Sequence, residues 1–359
     1  MNTQILKKHN ENYIRSKYTS DEVEFSKEFP ILPKILIIGV GGAGNNCIDR
    51  LMANKITGAQ TVAINTDKQQ LELVDADFKL LIGVELTRGM GAGGSPKVAE
   101  ACAKASRTDI DRMFDNVELI FLIAGMGGGT GTGATPIIAD IARAKGVIVI
   151  GLVTMPFYFE FGRKNRAKYG VRQLSSKAHS LLVIDNNKLL GLVPDLPLDQ
   201  AFFQIDDLIT EVVSGITETM TKPSLINLDF ADIKTIMQHG KLTLMCYGKS
   251  TSQDPNEIVR NTLNNPLLNL NYKGAKNALI HITGGPELSL ELTNQITKNI
   301  TKKMKPKANV ILGARINPEA KDEIKLLTIM TGVSDSHSYD YDFGPEPKSG
   351  FGFESKSYV

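Results

Sequence analysis

The chain has 359 residues, 42% of them hydrophobic and 22% charged, with a formal net charge of +2. That length exceeds one typical domain and predicts two. Balanced charge leaves no electrostatic footprint for nucleic acid, and the longest apolar runs, such as Gly146–Val153, fall well short of a membrane span. Three cysteines, Cys47, Cys102 and Cys246, and five scattered histidines make neither a disulfide framework nor metal-ligand spacing. The expectation is a cytoplasmic protein with reduced thiols, no metal cage of its own and no inserted membrane segment.

In chain order, residues 1–33 are polar and mixed in charge, with no signal-peptide core, and read as a mobile arm. Lys34–Ile38 opens the globular part as a short buried strand. Thr61–Asn65, Leu119–Ala124, Val147–Thr154 and Ser180–Ile184 follow as strands, with helical patterns between them such as Pro96–Ala105 and Pro136–Lys145. This alternation predicts an α/β fold with a doubly wound parallel sheet, whose ligands bind at the carboxyl ends of the strands. From Pro197 to Met220 apolar residues recur at spacings of three and four over a wide arc, which predicts a long helix buried between two domains and ended by Pro223. Strand patterns resume at Lys241–Tyr247, Ala278–Thr283, Asn309–Gly313 and Lys325–Thr331, separated by helices at Pro255–Leu263 and Leu288–Lys302, and make a smaller α/β domain. Residues 334–359 are rich in Ser, Gly, Asp and Pro and read as a disordered tail.

Three glycine-rich segments carry the chemistry. Gly127-Gly128-Gly129-Thr130-Gly131-Thr132-Gly133 joins a buried strand to a helix start. Glycine lets backbone approach an anion closely, and a helix N-terminus supplies unpaired N–H groups. The segment is a phosphate cradle, and it lacks the Gly-Lys-[Ser/Thr] ending of a Walker A loop. The first strand runs into Gly39-Val40-Gly41-Gly42-Ala43-Gly44. Taken alone, that segment also fits the Gly-x-Gly-x-x-Gly fingerprint of an NAD-dependent oxidoreductase, with Asp67 at the spacing of a ribose-binding acid. The third segment, Arg88-Gly89-Met90-Gly91-Ala92-Gly93-Gly94, again precedes a helix. A dinucleotide has one pyrophosphate and needs one such loop. Three loops on one sheet edge suit a nucleoside triphosphate.

With these motifs in place, the chain resembles the tubulin/FtsZ family of GTPases, over about residues 34–333. The resemblance rests on Ile38–Asn46, Ala63-Ile64-Asn65-Thr66-Asp67, Thr87–Gly93, Gly125–Gly133 and Leu225-Ile226-Asn227-Leu228-Asp229-Phe230-Ala231-Asp232. Ile282-Thr283-Gly284-Gly285-Pro286 is closer to archaeal members than to bacterial ones. The resemblance implies that GTP and GDP are the bound nucleotides, with Mg2+ on the phosphates and K+ as a second candidate cation. It assigns phosphate contacts to Gly41, Gly42, Ala43 and Asn46, to Gly91, Ala92 and Gly93, and to Gly127, Gly128, Gly129, Thr130, Gly131 and Thr132. Thr154, Pro156 and Glu160 fall on the ribose side. Asn186 and Asp206 face the guanine edge, and Phe202 stacks on the base. From the residues alone, Phe202 and Asp206 fit better a packed helix face with acids near its start. The chain departs from the family at Phe159-Glu160-Phe161-Gly162-Arg163, where Phe161 is an apparent insertion, and Arg163 is the favoured nucleotide-side arginine.

Asp229 and Asp232 are three residues apart at a helix start, where the bland reading is a cap and a macrodipole partner. The resemblance makes Asn227, Asp229 and Asp232 catalytic. This loop enters the nucleotide pocket of the next copy and orients the attacking water. Head-to-tail association of this kind builds open filaments. The implied role is a self-assembling GTPase of the division site, with a cell-shape tubulin-like relative as the alternative. The implied organisation is an arm over 1–33, a GTP-binding domain with the long helix over 34–222, the catalytic loop and smaller domain over 223–333, and the tail. Tyr339, Tyr341, Phe343, Phe351, Phe353 and Tyr358 suit the tail to a membrane adaptor or other division protein.

Overall fold

The computed structural model describes residues 34–332, apart from 223, 227, 229, 239–242 and 265–271. The arm, the tail, Pro223, Asn227 and Asp229 therefore lie outside the described residues. The first sheet contains β1 (Ile35–Val40), β2 (Gln60–Asn65), β3 (Phe78–Leu81), β4 (Leu119–Gly125), β5 (Ile148–Met155) and β6 (Ser180–Asp185), all parallel, in the order β3-β2-β1-β4-β5-β6. The second contains β7 (Thr243–Ser250), β8 (Asn277–Gly284), β9 (Asn309–Ile316) and β10 (Ile324–Thr331), in the order β7-β10-β8-β9. Strand β10 runs antiparallel to both its neighbours, while β8 and β9 are parallel. The helices of nine residues or more are α1 (Gly41–Ala53), α2 (Pro96–Ala105), α3 (Thr130–Ala144), α4 (Lys164–Ser175), α5 (Leu198–Thr221), α6 (Phe230–Gln238), α7 (Pro255–Leu263) and α8 (Leu290–Thr301).

Strands β1 and β4 are buried on both faces and so read as unbroken apolar runs rather than alternating ones. Ile35, Ile37, Leu119, Phe121 and Ile123 face α1 and α5, while Leu36, Ile38, Ile120 and Leu122 face the layer of α2, α3 and α4. The inner face of the second sheet, with Met245, Tyr247, Leu279, Leu327 and Ile329, joins the first of these cores through α5 and α6. Its outer face packs on α7 and α8. The long helix is thus a shared wall. Ile205, Leu208, Ile209, Val212, Val213 and Ile216 are all buried along it. Polar ties finish the seam at its far end. Arg315 donates to Glu218 at 3.2 Å, and Thr219 meets the His281 ring at 3.1 Å. Burial holds that ring neutral, with its pKa lowered to about 4.

Two local readings shift against expectation. Helix α1 begins at Gly41 and α3 at Thr130, inside the glycine segments rather than after them. Glycine is a weak helix former, but a close approach outweighs propensity at both places. Gly41 has φ +72°, and a Cβ there would lie 2.9 Å from the Gly131 nitrogen. The chain therefore passes from β1 to α1 with no intervening loop, while four residues, 126–129, turn it from β4 into α3. Strand β3 carries no clear sequence signal. It has four residues on a sheet edge, and only Leu80 is buried.

Helices α2 and α3 cross where a Cβ on Gly133 would come within 2.0 Å of the Pro96 carbonyl oxygen. Gly133→Ala should therefore force the helices apart and destabilise the fold by about 1–3 kcal/mol, the usual range for overpacking. Denaturant unfolding checks this. The midpoint should fall with an unchanged slope, and an unaltered midpoint would contradict the crossing.

Candidate functional site

Strand order reverses between β1 and β4, and a crevice opens there at the carboxyl edge. It holds a cavity of about 840 Å³. One wall is the end of β1 and the first turns of α1, with Gly41, Gly42, Ala43 and Asn46. The floor is the end of β4 and the turn after it, with Gly128, Gly129, Thr130 and Gly131. Thr154 and Pro156 from the end of β5, Glu160 and Arg163 from the following turn, and Asn186 after β6 extend it sideways. Phe202 and Asp206 of α5 close the far end.

The N-terminal turns of α1 and α3 both open onto this space, and together they supply unpaired N–H groups and positive ends of two helix dipoles. Gly42, Ala43 and Asn46 are exposed to it. Gly127 and Thr132 shape the cradle rather than line it. Thr132 is fully buried, and its hydroxyl oxygen accepts the Gly127 N–H at 2.8 Å. Gly127 takes φ +106° in that turn. Gly91, Ala92 and Gly93 also stay out of the cavity lining. Their loop is pinned by the Gly91 N–H to the Thr66 carbonyl at 3.0 Å, and Ala92 abuts Gly129. Thr66 and Thr130 share a hydroxyl hydrogen bond of 2.7 Å, which ties the end of β2 to the cradle.

The ribose-side turn is built on its own acid. Glu160 accepts from the Phe157 N–H at 3.1 Å and from Arg163 at 2.6 Å. Arg166 instead reaches the Gly94 carbonyl and the Gly162 carbonyl. The two arginines therefore divide, with Arg163 on the cavity and Arg166 on the glycine loop. Phe161 is 73% exposed and does not line the cavity. Asn187 clamps the turn from β6, donating to the Pro156 carbonyl at 3.1 Å and accepting from the Tyr158 N–H at 2.6 Å.

At the far end Asn186 is 5% exposed, and its Oδ1 has no hydrogen-bond partner. A buried acceptor left open on a cavity wall is costly without a ligand. Phe202 stands edge-on to Phe157 at 5.6 Å, which fixes its ring plane beside the cavity. Asp206 is held from α1, by the Cys47 thiol on Oδ1 and by Arg50 Nε on Oδ2, each at 2.8 Å. Burial pushes its carboxyl above the usual carboxylate range, and these two donors work against that rise. Sequence reasoning missed Arg50 and Cys47. They lie three residues apart on one face of α1, and their partner is on α5.

Two carboxylates fall elsewhere. Asp67, the ribose acid of the dinucleotide reading, caps the helix at Lys68–Leu73 through the Gln70 N–H and does not line the cavity. Asp232 sits in the first turn of α6, beyond the far end of the 24-residue α5. At 1.5 Å per residue that helix is about 36 Å long, and Phe202 and Asp206 lie on its first turns. The bound acids of the cavity, Asp49, Glu160, Asp199 and Asp206, all lie outside the glycine loops.

Comparison with known proteins agrees with this geometry. Residues 34–194 match the GTPase domain of the tubulin/FtsZ family, and residues 241–334 match the FtsZ family C-terminal domain. Cell division protein FtsZ 2 of Methanocaldococcus jannaschii is 46% identical over 91% of this chain and 87% of its own length. Its namesake in Haloferax volcanii is 48% identical over 84% of this chain and 76% of its own length. Among solved structures, an empty FtsZ dimer of M. jannaschii superposes with a TM-score of 0.77 at 42% identity, covering 84% of this chain and 89% of that one. The motifs, the sheet order and these likenesses agree: the chain belongs to the tubulin/FtsZ family of GTPases.

Proposed function

We propose that this chain is a division-filament GTPase whose active site is split between two copies, one holding the nucleotide and the next supplying Asn227, Asp229 and Asp232. One observation supports the reading. The first turns of α5 line the cavity, the acid-bearing segment follows the last turn of that helix, and Asp232 is not among the residues that line the cavity. Asn227 and Asp229 flank Leu228, whose side chain is buried against Gly313 on the second sheet. Ile226 is bridged to Ala314 in both directions, at 3.1 and 3.2 Å, which ties this stretch of chain to β9.

In this reading the N–H groups of the α1 and α3 termini bind the phosphates, and Thr130 adds a hydroxyl. Glu160 takes a ribose hydroxyl. Asn186 Oδ1 and the Asp206 carboxylate meet the guanine edge, whose N1–H and N2–H₂ are donors that adenine lacks, and Phe202 stacks on the ring. Asp229 and Asp232 of the next copy orient a water in line with the γ-phosphorus. The water oxygen bonds to phosphorus as the bond to the β–γ bridging oxygen breaks, and GDP and phosphate leave. Positioning and charge neutralisation carry most of the barrier reduction in such transfers. Mg2+ takes oxygen ligands and keeps several waters. Among the described residues no cluster of three or more His, Cys, Asp or Glu could hold a metal, so Mg2+ would ride on the phosphates and supply charge neutralisation there. We assign K+ no residue.

The domain boundary falls near residues 222–223, where α5 ends between the two matched family regions. No helix among the described residues is long and apolar enough to cross a membrane. Action at a division site therefore calls for an adaptor, for which the aromatic residues of 334–359 are the candidate contact.

Two variants separate the roles. Gly128 has an ordinary φ, and a Cβ there meets no protein atom within 4 Å, so the added methyl would project into free space at the cradle. Gly128→Ala should keep its thermal stability and lose most of the stabilisation that GTP confers. Asp232→Ala should keep that stabilisation and lose about 10²–10⁴-fold in turnover, the range for a group that handles the proton of the attacking nucleophile. Mixing the two inactive proteins tests the split site directly. An interface that joins a Gly128→Ala subunit's Asp232 to the cradle of an Asp232→Ala subunit is intact, so phosphate release should reappear. A mixture as inactive as its components would overturn the reading.

A further inference from the structure

Arg50 is the charged group of the cavity that the glycine loops do not explain. It lies on the third turn of α1 and has two partners. Nε donates to Asp206 Oδ2 at 2.8 Å, and Cζ lies 4.1 Å from the centroid of the Phe203 ring. A guanidinium stacked on an aromatic face keeps its plane, and the fork stays aimed at one acceptor. Cys47, nearly one turn earlier on the same helix, donates to the other carboxylate oxygen at 2.8 Å. Each carboxylate oxygen has two lone pairs. Both oxygens of Asp206 therefore retain one acceptor direction for a ligand while α1 fixes where the group points.

The electrostatic setting gives the pair work to do. The Asp206 side chain is 14% exposed, and burial favours its neutral form. A protonated carboxyl would confront the donor edge of guanine with a donor of its own. Among the described residues Arg50 is the cation paired with this carboxylate. Asp49 and Asp199 line the same cavity as anions, and the Arg163 charge there is taken up by Glu160. The ion pairs that α5 makes with the second sheet, Glu211 with Lys249 and Glu218 with Arg315, lie more than a turn further along the helix.

We propose that Arg50, its plane set by Phe203, is a positioning residue for base recognition that holds the Asp206 carboxylate toward the guanine edge. The proposal rests on the reading that Asp206 meets the base. Arg50 acts through that carboxylate, so its removal should disturb which base is bound more than how fast a bound nucleotide reacts.

The test measures GTP and ITP affinity for the full-length protein and its variants from neutral pH downward, the direction in which a carboxyl raised by burial takes up its proton. ITP lacks the exocyclic amine and so reads one of the two donors. Arg50→Met should weaken GTP roughly tenfold, the size of one hydrogen bond to a charged group, and narrow the GTP-to-ITP ratio. GTP affinity should fall as pH drops and Asp206 takes up a proton, and in Arg50→Met that fall should begin at higher pH. Turnover at saturating GTP should change less than twofold. Arg50→Lys should restore the position of the acid limb, since it keeps the charge, but not the full ratio, since it lacks the planar fork. Phe203→Leu leaves both charges and loosens the plane, so it should narrow the ratio in the same sense, and it carries the test if Arg50→Met does not fold. An unchanged ratio and acid limb in the folded variant would overturn the proposal. Asp206→Asn distinguishes the two levels. If it leaves the GTP-to-ITP ratio intact, base reading by Asp206 falls. If it collapses the ratio and the Arg50 and Phe203 variants do not, only the positioning role falls.

Discussion

A phosphate group can reach the edge of this sheet because side chains are missing there. Gly41, Gly42, Gly128, Gly129 and Gly131 line the crevice between β1 and β4, and two helices start in it, α1 directly after its strand and α3 after the short turn over 126–129. Their backbone N–H groups are the binding surface, and any Cβ in the wrong place would cover it. The same economy sets the packing around the crevice. Gly41 lies against Gly131, Ala92 lies against Gly129, and Thr66 lies against Thr130, so the loops brace one another before any ligand arrives. Preorganised donors of this kind cost no reorganisation when charge develops on them.

Helix α5 is the second constraint. Its first turns carry the base end of the cavity, its middle is buried against both sheets, and its last turn is tied to the second sheet through Glu218, Arg315, Thr219 and His281. A rigid rod of about 36 Å fixes the distance between the cradle and the segment that holds Asp232. The cavity ends up with a binding surface and no carboxylate at its phosphate loops. In the split site proposed above, association becomes part of the chemistry, because the next copy brings its own acids to the cavity. The arrangement is heterologous, and a heterologous contact that does not close gives an open filament.

The architecture was legible because it rests on strong patterns. Buried parallel strands are apolar runs, the three glycine segments mark helix starts, and the α5 stripe is 24 residues long. Asn186, Phe202 and Asp206 could be placed at the far end only through family resemblance, since their contacts cross from one element to another. Arg50 and Cys47 were missed for the same reason. Nothing near either residue in sequence announces a carboxylate 156 or 159 positions away. The helix starts at Gly41 and Thr130 were read late because glycine propensity argues against a helix, whereas the close approach that demands glycine is visible only in three dimensions. Strand β3 escaped because a four-residue edge strand with one buried side chain has almost no periodicity to detect. Gly91, Ala92 and Gly93 show the reverse case. The sequence marks a third glycine loop, and in the fold it braces the cradle through Thr66 and Gly129 without lining the cavity.

The central claim is that one copy holds the nucleotide and another completes the site. Phosphate release per unit of protein, measured at saturating GTP over a wide range of protein concentration, tests it most directly. A split site gives a threshold, with specific activity near zero at high dilution and rising steeply once copies associate. Specific activity that stays constant down to the lowest concentration would mean that a single chain is complete, and would contradict it.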